Sequence, residues 1–320
     1  MAHPATFSGS IAYLGPPGTF TEEALRTQPD YASAEKLTAL PTFAEVLDAV
    51  QHGHVDLGFV PIENALEGTV PGTMDSLVFD HELLIQREVV LDIHMQLMAP
   101  PGVTLARVRR VASLPHAAGQ CRRFLAKKLP GAELVETTST AEAARLLAQG
   151  GPSWSDGVTA AIAPRQAAAL HGLDILAEDI EDHLGNQTRF VSVAREGVPA
   201  PTGHDRTSIV CFQRADRPGS LHSILGQFAA HQINLTKVES RPSKKGLGDY
   251  CFIIDLEGHL ADEVVADCLR VLHAELEGLR FLGSYPAAGD HGSLLREEAD
   301  AAWEKAADWV EGYRRQIRPS

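Results

Sequence analysis

From Ser10 to about Val193, short apolar runs alternate with segments of helical period, which predicts an α/β unit. The strand candidates are Ile11–Leu14, Leu57–Val60, Val89–Ile93, Val111–Ala112, Glu133–Val135, Ala160–Ala163 and Phe190–Val193. Several run into a turn rich in Gly or hydroxyls that opens a helix. In Thr19-Phe20-Thr21-Glu22 and Ser139-Thr140-Ala141-Glu142 the hydroxyl and the carboxylate three residues later match a capping box, so helices start there. Between Glu196 and Asp205 the chain turns to Gly, Pro and small polar residues, with Pro199 and Pro201 blocking regular structure; this is a linker. A second pattern follows: strand Thr207–Phe212, helix Gly219–His231, strands Asn234–Ser240 and Tyr250–Leu256, helix Asp262–Glu275, strand Arg280–Tyr285. That order, βαββαβ, is an α+β ferredoxin-like unit. From about Ser293, Leu295, Ala299, Ala302, Ala306, Trp309 and Tyr313 recur at spacings of three and four, so an amphipathic helix is expected to dock on a neighbour or a second subunit.

A length of 320 residues exceeds one usual domain and fits two or three packed units. With 44% apolar and 22% charged residues the chain can bury a sizeable core. Its net charge of -14 argues against nucleic acid or an anionic membrane as a partner, so an anionic substrate has to be held by a few local cations. Cys121, Cys211, Cys251 and Cys268 have no metal-ligand spacing and read as reduced core residues; no metal is expected. The N-terminus lacks a basic region followed by an apolar one, and no apolar run approaches the ~18 residues of a membrane span. A cytoplasmic location is expected.

Candidate chemistry gathers in loops after strands, where backbone N–H groups and helix N-termini meet ligands. Asn186-Gln187-Thr188-Arg189-Phe190 places a hydroxyl donor and a fixed cation where an apolar strand begins, as an anion site requires. Gly15-Pro16-Pro17-Gly18-Thr19-Phe20-Thr21 has glycines that permit close backbone approach and a helix start that favours an anion. Pro61-Ile62-Glu63-Asn64-Ala65-Leu66-Glu67-Gly68-Thr69-Val70 clusters an acid, an amide and a hydroxyl. There Asn64 can donate to a ligand oxygen, while Glu63 either orients Arg189 or is a proton donor. Thr137-Thr138-Ser139-Thr140 opens a helix with hydroxyls that can hold a carboxylate, one of them being a cap.

Together these motifs resemble the prephenate dehydratase family. Arg217-Pro218-Gly219-Ser220-Leu221, Ile233-Asn234-Leu235-Thr236 and Glu239-Ser240-Arg241-Pro242 resemble the ACT regulatory domain that follows in that family. The likeness covers roughly residues 9 to 286. It departs where the family often has Ser-His-Pro-Gln and this chain reads Ser113-Leu114-Pro115-His116, and where Gly-Ala-Leu reads Gly219-Ser220-Leu221.

The resemblance implies a catalytic domain at 9–196, two-lobed like a type 2 periplasmic binding protein, with lobe one at about 9–88 and 176–196 and lobe two at about 89–175. An ACT domain at 206–286 and a helical tail at 287–320 follow. It implies cofactor-free loss of carbon dioxide and the ring hydroxyl from prephenate, giving phenylpyruvate, in a cleft that closes on substrate. Thr188 would assist the leaving hydroxyl by hydrogen-bond donation and Arg189 would bind a carboxylate, with Glu63 and Asn64 beside them. Gly18, Thr19, Thr69, Ser139, Thr140, Asn186 and Phe190 would bind substrate. L-Phenylalanine would be the allosteric effector, bound between ACT domains of a homodimer or homotetramer by Gly219, Ser220, Leu221, Asn234, Glu239, Ser240, Arg241 and Pro242. Dehydration of arogenate and a non-catalytic amino-acid sensor are the competing readings.

Overall fold

The computed structural model describes residues 7–150, 154, 158–213, 218–244, 246, 249–289, 305, 309, 312 and 314–316. Five strands open the chain: β1 (Ser10–Leu14), β2 (Lys36–Leu40), β3 (Leu57–Asn64), β4 (Gly68–Thr69) and β5 (Leu84–Asp92). A second set follows: β6 (Gln96–Ala99), β7 (Arg110–Ser113), β8 (Glu133–Glu136), β9 (Thr159–Ala163) and β10 (Asp174–Ala177). Then β11 (Gln187–Ala194) returns to the first set. The first sheet has the order β2-β1-β3-β11-β5 with β4 paired to β3, and the second has the order β10-β6-β9-β7-β8. Each sheet centres one lobe of an α/β domain. The first sheet keeps the chain as far as Asp92 and the second until Ala177, so the crossings fall a few residues beyond 88 and 175.

Contacts along the chain define two compact units, Met1–Ser76 with Val89–Ser192 and Leu77–Glu88 with Val193–Ser320. The core of the first forms around β3 and β11, which are buried along most of their length, as strands covered on both faces are. Phe59 of β3 stacks on Phe190 of β11 with ring centroids 5.7 Å apart, and the Tyr31 hydroxyl meets Ser192 Oγ at 2.8 Å. Phe190 is only 1% exposed, so its ring is part of the core. In the second lobe Val111, Ala160, Ile162, Leu97 and Cys121 pack together.

Helix starts follow the expected hydroxyl caps. Thr19 Oγ1 accepts from Glu22 N at 3.4 Å and Ser139 Oγ from Glu142 N at 3.0 Å. Neither carboxylate closes the reciprocal half of a capping box with its cap residue: Glu22 takes the amide of Gly18, and Glu142 pairs with Arg145. Four strands lie outside the expected set. Of these, β6 and β10 hold few β-branched residues, β2 is a half-buried sheet edge, and β4 has two residues.

The second unit contains β12 (Asp205–Phe212), helix Ser220–Ala230, β13 (Leu235–Pro242), β14 (Tyr250–Glu257), helix Glu263–Glu275 and β15 (Gly278–Pro286). This is the expected βαββαβ order, folded as an antiparallel sheet β13-β14-β12-β15. Ile209, Cys211, Ile224, Phe228, Ile254, Val265 and Cys268 form its core. Within the same unit the buried Glu88 carboxylate takes Arg206 Nη1 at 2.5 Å and the Ala288 amide at 2.7 Å, which satisfies both its oxygens. Of the C-terminal apolar stripe, Leu295, Ala299, Ala302, Ala306 and Tyr313 lie outside the described residues, as does Arg217; Trp309 is described and exposed.

Replacing Phe190 by Ala empties a fully buried site stacked against Phe59. The expected loss is about 3–5 kcal/mol of unfolding free energy in a denaturant titration, and a loss under about 1 kcal/mol would remove Phe190 from the core.

Candidate active site

Because β3 and β11 are neighbours in the sheet, Glu63-Asn64 at the end of one meets Asn186–Arg189 at the start of the other. The Asn64 side chain makes the junction. Its Nδ2 donates to Thr188 Oγ1 at 2.9 Å and to Asn186 Oδ1 at 3.0 Å, with the Gln187 carbonyl 3.2 Å away. Its Oδ1 accepts from the amides of Leu66 and Glu67 at 3.0 and 3.3 Å, which shapes the turn between β3 and β4. The main chain ties Gln187 O to Ala65 N, just after β3, at 2.8 Å and Asn186 O to Ile93 N, just after β5, at 2.8 Å. Beside them Arg189 Nη2 lies 2.9 Å from Glu63 Oε2. Thr188, Arg189 and Asn186 are all buried. A hydroxyl that accepts from a fixed amide still has a proton to give, and the amide restricts where that proton can point.

The second lobe reaches this cluster through the helix Pro115–Gln120. Gln120 Nε2 donates to Glu67 Oε1 at 3.0 Å, and Gln120 Oε1 accepts from Asn186 Nδ2 at 3.3 Å. His116 Nε2 also meets Glu67 Oε1 and lies 2.7 Å from Gln120 Nε2. Gln120 was not among the expected site residues. Its one local signal is a spacing of four from His116, which puts both on one helix face.

The remaining expected contacts divide. Thr69 is the ladder partner of Glu63 across β3 and β4, so it stands beside the cluster. Gly18 is different: its amide donates to Glu22 Oε2 at 2.7 Å, so a carboxylate of its own helix occupies the place proposed for an external anion. Its φ of +87° and the approach of Ala167, 3.4 Å from where a Cβ would sit, explain the glycine by backbone conformation and packing. Thr19 is committed to Leu14 O and to capping, and Ser139 caps the helix Thr140–Gln149, whose first residue is buried.

The crossing segments are braced by His94, whose Nδ1 lies 3.0 Å from Glu181 Oε1, while Glu181 Oε2 accepts from Met95 N at 2.9 Å. That hydrogen bond to Glu181 raises the His94 pKa above its usual value. His94, Asp179 and Glu181 also place their ligand atoms within 4.8 Å of one another, but hydrogen bonds to Met95 and Gln96 already engage the carboxylates. All four cysteines are buried thiols, and burial pushes Cys121, Cys211 and Cys268 up to about 12, which leaves them poor nucleophiles.

In the second unit Gly219, Ser220 and Leu221 line a groove of about 580 Å³ together with Leu225, Gly226 and Phe252. Gly219 has φ +90° at the helix start, a conformation that favours glycine. Asn234 and Glu239–Pro242 do not line that groove; Glu239 pairs with Arg241 at 3.0 Å along the edge strand β13.

This two-lobed α/β domain, followed by an ACT-like βαββαβ unit, places the chain in a defined class. The family profile described as prephenate dehydratase matches residues 11–198, and that of the ACT domain matches residues 207–274. The chain is 42% identical to a prephenate dehydratase of Mycolicibacterium vanbaalenii over 95% of its own length and 98% of that protein. It superposes with a TM-score of 0.86 on prephenate dehydratase of Arthrobacter aurescens in complex with L-Phe, at 40% identity, covering 96% of this chain and 99% of that one. It also superposes with a TM-score of 0.76, at 30% identity and 90% and 99% coverage, on a structure described as a novel type of quorum quenching acylase. The chain belongs to the prephenate dehydratase family.

Among the described residues no helix is long and apolar enough to cross a membrane.

Proposed function

We propose that this chain catalyses the decarboxylating dehydration of prephenate to phenylpyruvate under control by phenylalanine. In that reaction the bond to the ring carboxylate breaks and releases carbon dioxide. Its electron pair enters the ring, and the carbon–oxygen bond to the ring hydroxyl breaks with uptake of one proton to give water. Aromatisation supplies the driving force, so the protein needs to hold two carboxylates and stabilise the departing oxygen. Redox chemistry plays no part in this balance.

The observation that carries this reading is the Asn64–Thr188 hydrogen bond at 2.9 Å. With Asn64 donating, Thr188 Oγ1 is the acceptor on that side, and its own O–H is the donor to the leaving hydroxyl. A guanidinium has five N–H donors, so Arg189 can hold Glu63 at 2.9 Å and a substrate carboxylate together. Glu63 takes the orienting role, since its Oε2 is engaged by that cation. Thr69, Asn186 and Thr140 supply further polar contacts.

The catalytic domain is taken as 9–196 and the ACT domain as 206–286. Phenylalanine fits the groove of Gly219, Ser220 and Leu221 closed by Asn234 and Glu239–Pro242 of a second copy, in a homodimer or homotetramer. The separation of those two sets within one chain supports this arrangement. Binding there can bias the catalytic lobes only by differing in affinity between two states. A cytoplasmic site of action suits this chemistry.

Steady-state assays on prephenate and arogenate, with and without phenylalanine, test the reading. Turnover of prephenate with phenylalanine-dependent rate is expected; preference for arogenate, or binding without release of product, would favour the competing readings. Thr188→Ala is expected to lower kcat by on the order of 100- to 1000-fold with a small change in KM. Unchanged kcat would take Thr188 out of the mechanism. Arg189→Lys should lower kcat/KM about 10- to 100-fold, because a point charge cannot replace the planar fork, and near-normal kcat/KM would place the carboxylate elsewhere.

A further inference from the structure

We infer that Glu67 and His116 form a latch that holds the second lobe closed on the first, tied through Gln120 to the residues that position Thr188. The latch rests on the dehydratase reading for its kinetic consequences alone. Glu67 sits in the turn between β3 and β4, in the first lobe, and the turn is held by Asn64 Oδ1 accepting from Leu66 N and Glu67 N. His116 and Gln120 lie one turn apart on the helix Pro115–Gln120 of the second lobe, and both side chains reach Glu67 Oε1.

The hydrogen bonds form a closed circuit. It runs from Asn64 to the turn, from Glu67 to Gln120, from Gln120 to Asn186 at 3.3 Å, and from Asn186 back to Asn64 at 3.0 Å. The second proton of the Asn64 amide goes to Thr188. Closing the lobes therefore completes the same network that aims the Thr188 hydroxyl. A shorter side chain at 116 would leave Gln120 as the remaining tie in this circuit between the helix and the turn, whereas a shorter one at 67 would remove both ties and leave Gln120 joined to Asn186. His116 and Glu67 are about half exposed, at 50% and 44%, as suits a contact that forms and breaks at the rim of a cleft.

A latch that sets the population of the closed state alters apparent affinity by that population, whereas saturating substrate still drives closure. Glu67→Ala and His116→Ala are each expected to raise KM for prephenate about fivefold, the scale of an exposed ion pair, with kcat changed less than about twofold. The double variant should be no worse than Glu67→Ala alone, because that substitution already removes the contact with His116. In the ligand-free full chain, His116→Ala should also speed amide hydrogen exchange at residues 65–68, on the opposite lobe, with the melting temperature held within about 2 °C. Unchanged KM in both single variants, effects that multiply in the double variant, or unaltered exchange at 65–68 would each overturn the latch. If the wild-type protein does not turn over prephenate, the functional reading fails, and the exchange measurement alone decides the latch.

Discussion

One carboxamide, that of Asn64, joins the parts on which this site depends. Its two protons go to Thr188 and Asn186, and its oxygen accepts from two amides of the turn that carries Glu67. Such a group cannot move without breaking several bonds, and on its half-buried side, toward Thr188 and Asn186, each unmade bond costs part of the desolvation of its polar atom. The precision of the Thr188 hydroxyl is therefore inherited from the pairing of β3 with β11. That pairing is in turn held by apolar burial, including the stacked rings of Phe59 and Phe190. A polar site of this kind sits at the strand ends of an apolar sheet because the sheet supplies rigidity and the ends supply access.

Much of the arrangement could be read from the residues. Glu63-Asn64 and Thr188-Arg189 are more than 120 residues apart in sequence, and the family resemblance of their motifs implied one shared site before the pairing of β3 with β11 brought them together. The βαββαβ unit was readable because its apolar runs and helical stripes are clean. Other features depended on tertiary partners that carry no local signal. Gly18 reads as an anion cradle, yet the carboxylate that fills it belongs to Glu22 of the same helix. Phe190 adjoins Thr188 and Arg189 in sequence, but strand geometry turns its ring to Phe59. Gln120 gains its meaning only when the second lobe brings it to Glu67 and Asn186. The strands β6 and β10 lack the β-branched composition that would mark them, and sheet neighbours impose their conformation.

The departure at Leu114-Pro115-His116 also takes a physical sense. Proline opens the helix, where its missing N–H costs nothing, and His116 in its first turn shares a face with Gln120. An imidazole here does not need to touch substrate to matter, since its partner is a carboxylate of the other lobe. The pairing of Glu88 with Arg206 has a comparable logic in the second unit, where a buried carboxylate is matched by one cation and one amide.

The central claim is that donation from Asn64 aims the Thr188 hydroxyl. Asn64→Asp tests it most directly: the ionised carboxylate has almost the same shape but only accepts hydrogen bonds, so Thr188 would have to turn its proton inward. Steady-state kinetics of this variant on prephenate should show kcat reduced by about 100-fold, the scale of one lost transition-state donor, with KM altered far less. A kcat equal to that of the wild-type protein would contradict the account.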